Sequence, residues 1–158
     1  MSDPSKYPRR PPRITPFKKL VPFYFVTFNT HGRRKLLDTA ELHSAFLDFS
    51  HRAYKEYDVE VGCYIIMPDH IHLFVRIPLE GITLKKWIQT LKAVLGKTLL
   101  SQNVEKPHWQ EGFFDHLLRT PSSYGEKWHY VQQNAVRAGL CAHEKDWPYQ
   151  GEICRLSF

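Results

Sequence analysis

The sequence predicts an α+β fold: a ferredoxin-like, split βαβ antiparallel sheet with two helices on one face and a further helix free to cover the other. Three observations carry this expectation. The first is the order of periodicities, which reads strand, helix, strand, strand, helix, strand and a last helix. The second is the turn Pro68-Asp69, tight enough to make its flanking strands an antiparallel hairpin. The third is PDHIHLFVRI (68–77), whose alternate residues sort onto two faces. Ile71, Leu73, Val75 and Ile77 make a core face, while His70, His72, Phe74 and Arg76 line the other.

Each element has a local reason. VPFYFVTF (21–28) is dense in β-branched and aromatic residues, which suits a first strand. A basic loop follows at Arg33-Arg34-Lys35, and Asp38 with Glu41 has capping-box spacing. Leu42, Ala45, Phe46, Phe49 and Ala53 then recur at helical spacing, so a helix runs to about Tyr57. DVEVGCYIIM (58–67) is the second strand and leads into the histidine strand. From Thr83 to Leu100, Leu84, Trp87, Ile88, Leu91 and Leu95 form an apolar stripe opposite Lys85, Gln89 and Lys92. FFDHLLR (113–119) is the fourth strand. Pro121-Ser122-Ser123 opens a last helix, with Ser123 and Glu126 as a second capping box and Gly139 as its close.

With 158 residues, 42% hydrophobic and 14% aromatic, the chain is expected to fold as one globular domain over 21–158. The net charge of +6 is unevenly spread. Residues 1–20 hold Lys6, Arg9, Arg10, Arg13, Lys18 and Lys19 against Asp3, and five prolines as well. They read as an extended basic arm suited to phosphate backbones, or as a solvated leader. The remainder carries 16 basic and 15 acidic side chains. No apolar run approaches a membrane span, and no signal-peptide core opens the chain. Three scattered cysteines, Cys63, Cys141 and Cys154, fit neither a disulfide framework nor a zinc cage, so a reduced, cytoplasmic protein is expected.

The chemistry concentrates in two places. A His-x-His pair in a strand points two ring nitrogens the same way, which suits a metal ion; two satisfied histidines are the competing reading. In the last helix, Tyr124, Trp128, Val131, Ala135 and Ala138 form an apolar stripe, while Glu126, Tyr130, Asn134 and Arg137 share another side. If this helix covers the histidine face, the Tyr130 hydroxyl and the Asn134 amide oxygen arrive beside the imidazoles. Two imidazoles and an amide oxygen leave a divalent ion its full charge and open positions for substrate oxygens. A phenol, with an ordinary pKa of about 10, needs such help to attack a phosphodiester.

Four segments, YIIMPDHIHLFVRIP (64–78), WQEGFFDHLLR (109–119), YVQQNAVRAGL (130–140) and DWPY (146–149), resemble the REP-associated tyrosine transposases, a branch of the single-tyrosine HUH enzymes. The resemblance spans about residues 20–150. It implies the HUH endonuclease fold, His70, His72 and Asn134 as ligands of Mg²⁺ or Mn²⁺, and Tyr130 as the nucleophile. It further implies cleavage and rejoining of single-stranded DNA beside REP-like hairpins. The family usually follows its asparagine with proline, where this chain has Ala135; alanine is expected to keep the helix regular.

Other candidates are weaker. Tyr124 lies on the apolar stripe without an asparagine one turn later. Asp115 and His116 sit in the fourth strand, where facing the site and a structural role are both open readings. His129, Trp109 and Trp128 read as surface or packing residues. Candidate phosphate contacts are Arg9, Arg10, Arg13, Lys18, Lys19, Arg33, Arg34, Arg76, Lys85 and Lys92. The competing function is a hairpin-binding module that does not cut, although such folds present aromatics where this sheet presents histidines. Replication initiators and relaxases often use a tyrosine pair or a third histidine, neither of which is evident. No protein partner is evident, and the short loop from Arg119 to Ser123 favours a monomer with its site assembled in cis.

Overall fold

In the structure, a computed structural model, Val21 and residues 23–158 are described; the basic arm, with Arg9, Arg10, Arg13, Lys18 and Lys19, lies outside the described residues. The elements run β1 (Phe23–Asn29), α1 (Ala40–Tyr57), β2 (Glu60–Met67), β3 (His70–Arg76), α2 (Leu84–Ser101), β4 (Phe114–Leu118), α3 (Pro121–Gln132), a short helical turn α4 (Asn134–Arg137) and β5 (Gln150–Glu152). The sheet order is β4-β1-β3-β2-β5, with every neighbouring pair antiparallel. Its first four strands reproduce the split βαβ arrangement expected from the sequence. β5 adds an edge beside β2 that no apolar alternation announced.

The alternation of β3 sorts the molecule into two layers. Ile71, Leu73 and Val75 join Val26, Phe28, Val61 and Ile66 beneath α1 and α2, whose Phe46, Phe49, Trp87, Leu91 and Leu95 are fully buried. On the other face, Phe23, Phe25, Ile65, Met67 and Phe74 pack against Val131 and Ala135 from the last helical segments and Trp147 from the segment after them. Trp147 is tied down through its indole N–H, which donates to the Ile66 carbonyl at 3.0 Å. A register shift between Val61 and Tyr64 puts one extra residue into β2. Gly62 sits within it, where a Cβ would meet the Leu156 side chain at 2.6 Å. A larger residue at this position would force the Leu156 side chain to shift.

Three details correct the sequence reading. α1 starts from Thr39, whose hydroxyl accepts from the Leu42 N–H at 3.2 Å; the Asp38–Glu41 box does not form. α3 starts from Thr120, which accepts from the Ser123 N–H, with Pro121 at the first helical position. Both threonines hold the extended backbone that a capping residue needs, and proline suits the next position because its missing N–H is not required there. Third, the last helix is not regular to Gly139: it breaks at Gln133. The Tyr130 carbonyl accepts from the Gln133 N–H at 3.3 Å, three residues on, and from the Arg137 guanidinium at 2.9 Å.

Candidate active site

His70 and His72 stand side by side on β3 with ring centroids 4.7 Å apart. Each is held by its Nδ1. The Asp69 carboxylate lies 2.7 Å from Nδ1 of His70. A carboxylate can only accept, so the proton sits on Nδ1 and Nε2 keeps its lone pair. Asp69 is itself held by Nε of Arg33 at 2.9 Å. Burial works against this carboxylate, yet the hydrogen bonds from His70 and Arg33 prevail and keep it below the usual aspartate range. Nδ1 of His72 meets the Thr27 hydroxyl at 2.7 Å, directly across the β1–β3 pair, and the Phe25 ring stacks on the imidazole at 5.2 Å.

Both imidazoles are neutral at physiological pH. Burial lowers His70, partly offset by Asp69. Burial pulls His72 down to about 3; His70, once protonated, and the standing charges of Lys127, Arg33 and Arg137 add to the shift. Neutral imidazoles with anchored Nδ1 atoms are the form in which histidine ligates metals, so this pair fits a divalent cation. Among the described residues no group of three or more His, Cys, Asp or Glu side chains could hold a metal. A third protein ligand would therefore have to be of another type, such as an amide.

The candidate amide, Asn134, lies on α4, the helical turn that follows α3. α3 lies over the histidine face, with Tyr124 against Phe74 at 4.6 Å and Trp128 against the same ring at 6.1 Å. Lys127 places its ammonium 5.0 Å from the centre of the Phe25 ring that stacks on His72. Tyr130 is 61% exposed, on the flank next to Lys127. The Arg137 guanidinium lies over its ring at 4.3 Å and also donates to Oδ1 of Asn134. One cation thus links the phenol, the amide and, through its charge, the neighbourhood of His72. The break at Gln133 is tied to the C-terminal segment, because its side-chain amide donates to Glu144.

Tyr124 has a different environment. Its hydroxyl donates to Sγ of Cys63 at 3.2 Å and burial pushes its pKa upward, so it is a packing residue. Trp109 and Trp128 also pack, Trp109 against Phe28 and Trp128 against Phe74. Pairing of Phe25 with His116 puts His116 on the histidine face and turns Asp115 away. Arg76 is corrected as a phosphate candidate. It is only 8% exposed, paired with Glu60 at 2.8 Å, bonded to the Val21 and Ser157 carbonyls and laid over Phe23. Arg34 donates to the Glu105 and Pro107 carbonyls, and Lys92 to those of Gln110 and Gly112. Lys85 stays exposed on α2. Sequence reasoning passed over Thr27, Lys127 and Arg137 as site residues, since each needs a strand or helix neighbour to acquire its place. Asp69 had a signal, a carboxylate immediately before the first histidine.

The five-stranded antiparallel sheet with its helices is a fold shared with solved transposases. One, a REP-associated tyrosine transposase bound to a REP hairpin, superimposes with a TM-score of 0.62 at 20% identity, over 86% of this chain and 89% of that one. Another, a transposase of Deinococcus radiodurans, gives 0.51 at 15% identity over 70% and 88%. The family described as transposase IS200 like matches residues 23–132. The chain belongs to this family, and is therefore a transposase, an enzyme of DNA rearrangement. In sequence it is 29% identical over 140 residues to a protein of Haemophilus influenzae described as a REP-associated tyrosine transposase, covering 80% of this chain and 77% of that one.

Proposed function

We propose that this transposase is a metal-dependent endonuclease and strand transferase for single-stranded DNA, acting beside REP-like hairpins through a covalent phosphotyrosine. Tyr130 is the nucleophile, and His70, His72 and Asn134 hold Mg²⁺ or Mn²⁺. The observation that carries this reading is the pair of neutral, Nδ1-anchored imidazoles beneath the helix whose exposed Tyr130 shares Arg137 with Asn134. The hairpin as partner is supported by the likeness to a transposase described as bound to one.

A bound divalent ion would supply charge stabilisation at the phosphate. The chain's own groups do the rest. Arg137 orients the phenol from above its ring and restrains the Asn134 amide, while Lys127 adds positive charge along the path of a polyanionic strand. The Tyr130 oxygen forms the new bond to phosphorus as its proton leaves. The bond to one sugar oxygen breaks, and that oxygen takes up a proton. Because a phosphodiester is exchanged for a phosphotyrosine diester, the reverse attack by a DNA hydroxyl rejoins strands. The short loop from Arg119 to Ser123 supports a monomer that assembles its site in cis.

The test uses a labelled hairpin oligonucleotide from the protein's own genomic neighbourhood, a divalent metal and a denaturing gel. The full chain forms a metal-dependent protein–DNA adduct, and Tyr130→Phe forms none while still binding the hairpin. An adduct from Tyr130→Phe would move the nucleophile elsewhere; no adduct from the unaltered chain would leave a hairpin-binding module. Mixing a His70 variant with a Tyr130 variant checks the cis arrangement, since recovered activity would mean sites shared between chains. Deleting residues 1–20, with six Lys/Arg side chains, flattens the log–log salt dependence of binding by up to about 4 units, at roughly 0.7 per phosphate.

A further inference from the structure

α3 leaves the β4 margin of the histidine face open. Phe114 is 63% exposed and Asp115 and His116 are exposed too, whereas Leu118 at the far end of the strand is buried. A lone exposed phenylalanine is ordinary on a protein surface. Register makes this one different. Phe114 pairs with Thr27, which holds His72, and His116 pairs with Phe25, which stacks on His72. Directly paired residues share a face, so both project beside the two histidines. Two strand spacings, about 10 Å, separate Phe114 from His72.

The chemistry of this shelf suits one kind of occupant. Its outward groups are a phenyl ring and an imidazole, with the Lys127 ammonium over Phe25 beside them. The only β4 carboxylate, Asp115, alternates to the opposite face. Rings flanked by positive charge, with no acid among them, favour a strand that brings flat bases on an anionic backbone. A partner helix or strand would instead ask for a broader apolar strip.

We propose that Phe114 and His116 form a base-stacking subsite for the unpaired nucleotides adjoining the phosphodiester that Tyr130 attacks. The subsite rests on the proposed function above, and adds to it a place where the single-stranded flank is held. Phe114 supplies the stacking surface and His116 the neighbouring ring, with Lys127 facing the backbone. Stacking of this type tolerates any base, so it holds the flank without selecting its sequence.

The test is made in the full chain carrying Tyr130→Phe, so that the strand stays intact. The probe is a hairpin oligonucleotide with a single-stranded flank, with 2-aminopurine placed at successive flank positions. Fluorescence is quenched at one or two positions near the hairpin. Adding Phe114→Ala removes that quenching and weakens binding of the flanked oligonucleotide about 5- to 100-fold, but leaves the flankless hairpin bound as before. Phe114→Trp restores both. Unchanged quenching and affinity in Phe114→Ala overturn the subsite; if the Tyr130 chain still forms its adduct, the proposed function survives that failure. If no adduct forms at all, both fall together. A Phe114→Ala chain that changes from dimer to monomer in light scattering, with unaltered flank binding, would make the β4 edge a contact between copies and end the proposal.

Discussion

The two faces of the sheet share the same strands and are finished differently. Beneath α1 and α2 the inward residues are apolar almost throughout, with His43 and Tyr64 as a polar pair at 2.7 Å near the margin. On the other face the apolar patch around Phe74 stops halfway, and His70, His72, Thr27, Asn29 and the outer half of β4 lie beyond it. One face is closed by two eighteen-residue helices; the other is covered by a twelve-residue helix that breaks at its end. The difference teaches where stability and chemistry are separated. Loss of a side chain from the first face acts through unfolding, while loss from the open part of the second, beyond the apolar patch around Phe74, acts on a folded protein.

Four predictions press on this contrast. The largest effect is expected on the open face. Replacing both His70 and His72 by alanine abolishes the covalent adduct and Mn²⁺ binding, yet hairpin affinity and the thermal transition stay close to those of the unaltered chain. Undiminished metal-dependent cleavage by that variant would sink the ligand assignment. Next comes Phe46→Ala on the closed face. Phe46 is fully buried against Tyr64 at 4.6 Å, so denaturant titration should show a loss of about 3–5 kcal/mol. Its adduct yield should fall only in proportion to the unfolded fraction. A folded but inactive Phe46→Ala protein would break the division between the faces.

Arg137→Ala tests the third level. Removing a group that orients a ligand typically costs about 10- to 100-fold in metal affinity or activity. Here the loss should appear in adduct rate and Mn²⁺ affinity together, with hairpin affinity changed far less. Arg137→Lys keeps the charge but not the planar guanidinium that lies over the Tyr130 ring while its Nη2 donates to Asn134 and the Tyr130 carbonyl, and should recover little. Full recovery by lysine would reduce the role of Arg137 to charge alone.

The smallest effect is a pH dependence on the closed face. Burial holds His43 below its ordinary value of 6.5, so the folded protein keeps it neutral while the unfolded chain takes up a proton as pH falls. Its contribution is therefore complete above 6.5 and declines below it. His43→Gln, which keeps a polar group facing Tyr64 but cannot titrate, should show a shallower fall in Tm between about pH 7 and about pH 5. Identical slopes would remove His43 from the acid response.

Residues with a strong local pattern were legible early. The alternation from Ile71 to Arg76 determined which residues of β3 turn inward, and the spacing of Trp87, Ile88, Leu91 and Leu95 determined the buried side of α2. Those patterns, with the tight Pro68-Asp69 turn, restrict the topology to very few arrangements, because apolar surface must be buried on one side of each element. The four-residue spacing of Tyr130 and Asn134 was readable too, but the two residues stand on successive helical segments on either side of the break at Gln133. β5 was not: Gln150-Gly151-Glu152 has no apolar alternation, and becomes a strand because the edge of β2 is there to pair with it.

What tertiary structure alone decided are contacts between residues far apart in the chain. Nothing near Arg76 in sequence shows that its charge is used internally; the register opposite Glu60 and the Ser157 carbonyl, 81 positions away, take it out of the solvent. The helix break at Gln133 has no proline or glycine to announce it. It coincides with a side-chain bond to Glu144 and with the Arg137 guanidinium on the Tyr130 carbonyl. Orientation of the histidines likewise belongs to tertiary structure. The sequence determined that two imidazoles share a face, since alternation is a local property of the extended chain. Which ring nitrogen each holds free depends on Thr27 and Asp69, and Asp69 in turn on Arg33; the cross-strand contact Thr27–His72 and the contact Arg33–Asp69, between the loop after β1 and the turn before β3, exist only once β1 and β3 have paired.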